Sequence, residues 1–273
     1  MEMFMSEGQI VEETPLPRTR ESLARDLRQL GVRPGMTVIV HSSLRALGWV
    51  CGGPVAVVQA LQDVVMAEGT IVMPTQTPGY SDPVQWQAPP VPRDWWPTIY
   101  ETMPAFDPRV TPTEHMGRIV EVFRTLPGVL RSSHPIVSFA AWGTHAAYIT
   151  QGHTLAYSLG EGSPLARIYD LDGWVLMLGT NYDTTTSLHL AEYRAPGAVE
   201  MIQGSPIFEN GGRVWKNYPD IEIDSDIFPQ IGHAFEQTGQ VQVAQIGSAM
   251  TRLFRQRPAV DFAAQWFTRR RNL

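Results

Sequence analysis

The sequence predicts an α/β protein: a central mixed, largely parallel sheet flanked by helices, with a lobe inserted into it. Three observations carry that expectation. First, Thr37-Val38-Ile39-Val40 and Thr70-Ile71-Val72-Met73-Pro74 are short apolar runs of buried-strand length. Between them the chain opens at Gly52-Gly53-Pro54 and places Val57, Val58, Leu61 and Val65 at helical spacing, and strand, helix, strand is the pattern of a parallel crossover. Second, Trp174-Val175-Leu176-Met177-Leu178 is another unbroken apolar run, followed by Gly179 and a polar turn, as a strand buried on both faces requires. Third, residues from about 76 to 114 are rich in proline and aromatics and show no period. With Trp86, Trp95, Trp96, Tyr100 and Phe106 this segment is too apolar to stay disordered. It reads as an ordered insertion that covers or lines a site, or as an aromatic-anchored surface loop without a ligand.

In chain order, residues 1–16 are polar and aperiodic and are expected to form a loose arm ahead of a single α/β domain over 17–273. Thr19 reads as a helix N-cap; Leu23, Leu27 and Leu30 share one face, and Gly31 ends the helix. A helix starting near Met116 carries Ile119, Val120 and Phe123, residues 138–142 read as a strand, and Ser163-Pro164 opens a helix with proline at its favoured first position. After the strand at 174–178 a helix is expected over about 184–194. Short strands near Ile207 and Val214, a strand at 241–244, and helices near Met250 and Phe262 complete the chain. Arg269-Arg270-Arg271 reads as a solvated helix end that complements the helix dipole.

Composition narrows the function classes. The 273 residues are 43% hydrophobic and 18% charged, as in an ordinary globular protein. No apolar stretch approaches the ~20 residues that span a bilayer. The acidic N-terminus lacks the basic and apolar regions of a signal peptide, so a cytoplasmic location is expected. The lone Cys51 excludes an intramolecular disulfide and a Cys-rich zinc module. A net charge of −6 argues against nucleic acid or an anionic membrane surface as partner.

Candidate chemistry concentrates at the ends of strands, where open α/β sheets bind ligands. His41-Ser42-Ser43 leads to Gly52-Gly53, and a glycine-opened helix could hold a pyrophosphate on its free N–H groups, although glycines at such turns are also simply structural. Gly179-Thr180-Asn181 is the second such turn. Beyond it Thr185, His189 and Glu192 are spaced three or four residues apart, so a carboxylate could support an imidazole on one helix face, or both could be surface residues. A metal reading of His189 and Glu192 lacks the usual third ligand. From Asp220 to Asp226 acidic and apolar residues alternate, which puts the carboxylates on one face of an extended strand, either to bind a cation or to protect an edge.

An ordered series of motifs then resembles the antibiotic N-acetyltransferase family, which includes the aminoglycoside 3-N-acetyltransferases. It comprises His41-Ser42-Ser43-Leu44, Gly48-Trp49-Val50, Gly52-Gly53, Gly69 to Thr75, Phe106-Asp107-Pro108, Arg131-Ser132-Ser133-His134-Pro135, Gly162-Ser163-Pro164-Leu165 and Ser187-Leu188-His189-Leu190-Ala191-Glu192. The resemblance spans about residues 18 to 265. It implies an α/β fold distinct from the GNAT acetyltransferases, acetyl-CoA as cosubstrate, and direct acetyl transfer to an amine. By the same resemblance His189 is the essential base, Thr75 lies near the acetyl group, and His41, Ser42, Ser43, Leu44, Gly48, Val50, Gly52 and Gly53 contact the cofactor. Glu222 best fits the family's helping glutamate, and Asp220, Asp224 and Glu192 join it as carboxylates for the substrate.

The expected reaction is acetylation of the 3-amino group of an aminoglycoside, with resistance as the outcome and the chain acting as monomer or homodimer. A protonated amine has no lone pair, so a base must take its proton, and histidine titrates in the useful range. Thr75, or a backbone N–H near Ser42-Ser43, is the expected donor to the developing oxyanion. Rival readings are an acyl-CoA N-acyltransferase acting on some other amine, a cysteine-nucleophile enzyme using Cys51, and a non-catalytic CoA-binding protein.

Overall fold

Three parallel strands form the middle of the sheet: β1 (Thr37–Ser42), β2 (Thr70–Pro74) and β5 (Trp174–Leu178), with β1 between the other two. The structure is a computed structural model and describes residues 6–271. Antiparallel strands extend both sides. β4 (Phe139–Gly143) pairs with β2, and the two-residue β3 (Leu130–Arg131) pairs with β4. On the other side β9 (Ala249–Arg255) pairs with β5, and β8 (Gln242–Ile246) closes the edge. The expected mixed, largely parallel core is therefore present, in the order β3-β4-β2-β1-β5-β9-β8.

Strand alternation divides the apolar side chains between two helical layers. Val38, Val40, Ile71, Met73, Leu176 and Leu178 pack with α2 (Arg20–Leu30), α3 (Gly53–Val65) and α5 (Gly117–Phe123). Ile39, Val72, Val175 and Met177 face the opposite layer, made of α6 (Ala146–Thr150), α7 (Pro164–Asp170), α8 (His189–Arg194), α9 (Phe228–Glu236) and α10 (Gln256–Arg271). Local sequence explains the ends of the first layer. Thr19 and Ser22 form a reciprocal capping box at the start of α2, and Gly31 closes that helix in the left-handed region at φ 118°.

The insertion is not free-standing. Short 3-10 turns at 78–80, 83–85 and 93–95 lead into α4 (Trp96–Thr102), which docks on a two-stranded hairpin of β6 (Glu200–Glu209) and β7 (Gly212–Ile221). The Tyr100 and Trp215 rings meet edge to face at 4.7 Å, Arg213 Nε donates to Met103 O at 2.9 Å, and Phe106 N donates to Pro206 O at 3.1 Å. Insertion and hairpin thus form one lobe, although they lie about a hundred residues apart in the chain.

Several local expectations are corrected. Residues 7–13 of the expected loose arm form a helix, α1 (Glu7–Glu13), with Ser6 as its reciprocally capped N-cap; residues 1–5 of that arm lie outside the described residues. Met250 belongs to β9, because its neighbours Ala249 and Thr251 are buried while it is exposed, a two-residue period rather than a helical one. The helix expected over 184–194 is regular only from His189; the residues before it form 3-10 turns. The acidic strand expected over 220–226 ends at Ile221. Arg271 is no purely solvated cation: its Nη1 donates to the carbonyls of Glu192 and Ala195, at the end of α8.

Candidate active site

The parallel strands end where their connections diverge. From β1 the chain crosses to β2 on one side, while β5 lies on the other, so a crevice is expected beyond the carboxyl end of β1. His41 and Ser42 stand at that end, in register with Met177 and Leu178 of β5. Alternation sends His41 toward the layer that holds α8 and Ser42 toward the layer that holds α3. Beyond Leu178, Gly179 turns at φ 74°, and a Cβ there would come within 2.6 Å of the Ala46 Cβ, so only glycine lets the chain pass. The turns that follow deliver His189 to the crevice as the first residue of α8.

His189 is 8% exposed and Glu192 1%. Their side chains meet at 2.5 Å through Nδ1 and Oε2. A carboxylate accepts, so Nδ1–H is the donor, and in the neutral ring Nε2 then carries the lone pair. The second carboxylate oxygen, Oε1, accepts from Asp224 N at 2.8 Å. Phe228 packs its ring 4.7 Å from the imidazole. The residue pair is therefore held from both sides, with Nε2 left without a partner among the described residues. His41 lies nearby: burial first, and the neighbouring His189 second, lower His41 to about 4, so it stays neutral.

Two clefts meet here. The larger, about 870 Å³, is lined by Ser42, Ser43, Leu44, Gly48, Val50, Gly52 and Gly53, with Arg45, Arg118 and, from α1, Glu7 and Ile10 at its walls. Gly52 and Gly53 hold φ 83° and 54°, which a side chain would strain, and no side chain caps the helix they open. Gly53 N–H is taken by Val50 O and Pro54 has none, so in the first turn of α3 Val55 N–H remains for an anion, and Arg45 and Arg118 line the same cleft. A long, phosphate-bearing donor fits such a cleft; the Glu7 carboxylate at its wall is the one feature that does not favour it. The smaller pocket, about 240 Å³, is lined by His41, Ser42, Gln76, Thr180, Asp183, Thr184 and His189, among others. Ser42, His115 and Met116 border both, so the two spaces adjoin there, and His189 lines the smaller one.

The residues singled out in the sequence have different fates. Seven of the eight assigned to the cofactor line the larger cleft, and His41 lines the smaller one instead. Thr75 does not reach either. Its neighbours Pro74 and Gln76 face the pocket, whereas Thr75 is fully buried, its hydroxyl 3.0 Å from Ser138 Oγ and accepting from Arg131 Nε at 3.1 Å. Asp220 is also buried; its carboxylate accepts from Tyr193 Oη, Ser158 N and Ile221 N, which ties the hairpin to the core. Glu192 holds His189 and is too buried to meet a substrate. Glu222 and Asp224 are exposed and outside the lining of the pocket, because the strand that was to align them stops at Ile221.

Asp183 is the carboxylate that lines the acceptor pocket, and it went unread in the sequence. The polar turn after Gly179 was visible, but nothing in its composition distinguishes Asp183 from an ordinary turn residue. Thr180 was named only as part of that turn, and His115, just beyond the aperiodic insertion, carried no local signal. His115 holds φ 60°, an uncommon conformation for a side chain other than glycine, at the border of the two clefts.

Comparison with known proteins agrees with this geometry. A family model described as aminoglycoside 3-N-acetyltransferase matches residues 39–268. The SPbeta prophage-derived aminoglycoside N(3')-acetyltransferase-like protein YokD of Bacillus subtilis (strain 168) is 51% identical over 259 residues, 94% of this chain and 95% of its own. Its crystal structure superposes with a TM-score of 0.95, covering 96% of this chain and 97% of that one. Aminoglycoside N(3)-acetyltransferase VII of Streptomyces paromomycinus is 36% identical, with 96% of each chain covered. AAC-IIIb, solved as a binary complex with CoASH, is 32% identical with a TM-score of 0.84, covering 93% of this chain and 98% of that one. Sequence and fold agree over nearly the whole length, and the chain belongs to the aminoglycoside 3-N-acetyltransferase family.

Proposed function

We propose that this chain transfers acetyl from acetyl-CoA directly to the 3-amino group of an aminoglycoside, in the cytoplasm, and so confers resistance. One observation carries the reading: a buried imidazole, fixed by a buried carboxylate, lines a small pocket that adjoins a donor-sized cleft. AAC-IIIb, a relative solved as a binary complex with CoASH, supports a CoA thioester as the donor.

In this mechanism Val55 N–H, in the first turn of α3, and the guanidinium groups of Arg45 and Arg118 hold the phosphates of the donor, which supplies an activated acetyl thioester. Asp183 draws a cationic acceptor into the pocket. His189 Nε2 takes the proton from the attacking nitrogen, while Glu192 fixes the tautomer and stabilises the imidazolium that forms. Holding both substrates at one junction removes much of the entropic barrier, so no covalent enzyme intermediate is needed.

A second reading has a specific observation in its favour. The acceptor pocket is small and one carboxylate lines it, since Asp220 and Glu192 are committed to internal contacts. A compact monoamine would suit such a pocket as well as a polycationic sugar. Incubation with acetyl-CoA and a panel of gentamicin, apramycin and small monoamines, with the acetylated position mapped by mass spectrometry, separates the two. Acetylation at the 3-amino group supports the first reading, and turnover confined to monoamines supports the second. CoA binding with no product from any amine would refute both.

A further inference from the structure

The expected oxyanion donors are already committed elsewhere. Ser138 Oγ gives its hydrogen to Thr75 O at 2.7 Å, so in the contact between the two hydroxyls Thr75 is the donor. Ser43 N–H donates to Leu178 O at 3.0 Å, inside the sheet. Yet a tetrahedral oxyanion in a largely dry site needs donors fixed in advance. Among the described residues eight buried side-chain nitrogen and oxygen atoms lack a hydrogen-bond partner. Three of them are His41 Nε2, Ser42 Oγ and Thr180 Oγ1, and all three residues line the pocket that holds His189. None of the other five residues lines either cleft.

Their convergence follows from the topology. Ser42 pairs with Leu178 in parallel register, and one glycine separates Leu178 from Thr180, so β1 and β5 bring all three side chains to adjacent strand ends. Ser42 also borders the donor cleft, where a thioester must pass to reach His189. Ser42 and Thr180 are half-buried residues whose hydroxyl oxygens are turned away from solvent, without partners. Each hydroxyl turns about χ1 between staggered wells, so a ligand in the pocket that offers an acceptor can complete its missing bond.

We propose that His41, Ser42 and Thr180 donate the hydrogen bonds that stabilise the oxyanion formed when an amine attacks the acetyl carbonyl. This rests on the acetyl-transfer reading given above. In the step, the nitrogen lone pair forms the N–C bond and the carbonyl π pair moves onto oxygen, where these donors meet it. The pair then returns, the C–S bond breaks, and the sulfur leaves with its electrons. His189 takes the amine proton and passes it to that sulfur, so the three donors transfer no proton. A neutral His41 suits the role, because it donates N–H without placing a second cation beside the imidazolium at His189.

The test uses the whole chain with acetyl-CoA labelled with ¹³C at the carbonyl. Thr180→Val and His41→Phe are expected to lower kcat about 10²-fold, the scale of one lost oxyanion donor, with the Kd of CoA within about threefold of wild type. Thr180→Ser and His41→Gln, which restore a donor, are expected to recover to within about tenfold. Infrared spectra should show the bound carbonyl stretch at lower frequency than in free acetyl-CoA, returning toward the free value in Thr180→Val. Thr180 lies in a turn, so this variant reports even if His41→Phe does not fold. A kcat within about threefold of wild type in Thr180→Val, or an unchanged carbonyl band, would overturn the proposal. If wild-type protein shifts the band but acetylates no amine, the acetyltransferase reading fails and the donor assignment stands.

Discussion

Two buried histidine pairs sit in this molecule, and their hydrogen bonding separates structure from chemistry. His134 and His153 stack with ring centroids 4.8 Å apart, and all four ring nitrogens are engaged. His134 Nδ1 accepts from Ile136 N and Val137 N, both at 3.1 Å, and its Nε2–H donates to Leu155 O. His153 Nδ1 meets Ser132 Oγ at 3.0 Å, and its Nε2–H donates to Ser158 O at 2.7 Å. His41 and His189 are as buried, but His41 Nε2 has no partner and His189 Nε2 faces the acceptor pocket unpaired. Burial of a histidine therefore marks nothing by itself. An unfilled bonding position beside a cleft does, because a ligand in that cleft can complete it.

The sharpest way to break this contrast is to remove one ring from each pair. His189→Ala is expected to reduce kcat by about 10²-fold or more, the usual scale for loss of a general base, with the Kd of CoA nearly unchanged. His134→Gln should leave kcat per folded molecule unchanged and lower the melting temperature, because two backbone N–H groups lose their acceptor. Steady-state kinetics beside calorimetry would decide; a folded His134→Gln protein with a collapsed kcat would end the distinction.

Acid stability sharpens it next. Burial lowers His134 to about 4, and burial together with the neighbouring His134 holds His153 well below its ordinary value of 6.5. Above pH 6.5 neither the folded nor the unfolded chain protonates these rings, so their neutrality costs nothing. As pH falls below 6.5 the unfolded chain binds protons that the folded chain refuses, and stability declines toward pH 4. For His134 the loss approaches about 3 kcal/mol by pH 4. Melting curves from pH 7.5 to 4 should show this decline, and it should be shallower in His134→Gln. A parallel decline in both proteins would show that His134 does not contribute.

How much of this was legible follows the same division between contiguous and assembled features. Most of the larger cleft's lining comes from one stretch, Ser42 to Pro54, whose glycines and strand end are local signals, and seven of the eight residues expected there line it; Glu7, Ile10 and residues 115–119 complete it without such a signal. The smaller pocket draws on β1, Pro74 and Gln76, the segment from His115 to Val120, the turn after Gly179, His189 of α8 and Ser225. No local pattern joins those pieces. Asp220 illustrates the failure: alternation predicted a shared acidic face, but the strand ends one residue later and Tyr193 claims the carboxylate. His134 shows the converse, since Ser132-Ser133-His134 is as conspicuous in the sequence as His41-Ser42-Ser43, yet the buried Ser132 and His134 are engaged in internal hydrogen bonds.

Asp183 carries the next effect. It is the carboxylate lining the acceptor pocket, while Glu222 and Asp224 lie outside that lining. Asp183→Asn should raise KM for a cationic acceptor about tenfold, with kcat within about threefold, as expected for a lost charge-assisted contact that is made before and during the reaction. The salt dependence of KM should weaken at the same time. Glu222→Gln and Asp224→Asn should change KM by less than about twofold. A reversal of that ranking would return acceptor binding to the acidic segment after β7.

The smallest expected effect is the one that decides between direct and covalent transfer. Cys51 is exposed, and its backbone N–H donates to Arg18 O at 2.8 Å. A cysteine nucleophile needs a base or a cation to raise its thiolate fraction, and no hydrogen bond or ion pair to the thiol supplies one here. Its neighbours Val50 and Gly52 line the donor cleft, so the thiol stands close to the cosubstrate without facing the imidazole's pocket. Cys51→Ala should therefore keep kcat within about twofold, and mixing with acetyl-CoA alone should give no acetylated protein by intact mass, since no acyl-enzyme burst is expected in direct transfer. An acetyl adduct on Cys51 that forms and decays at the rate of turnover would reassign His189 from base for the amine to activator of a thiol.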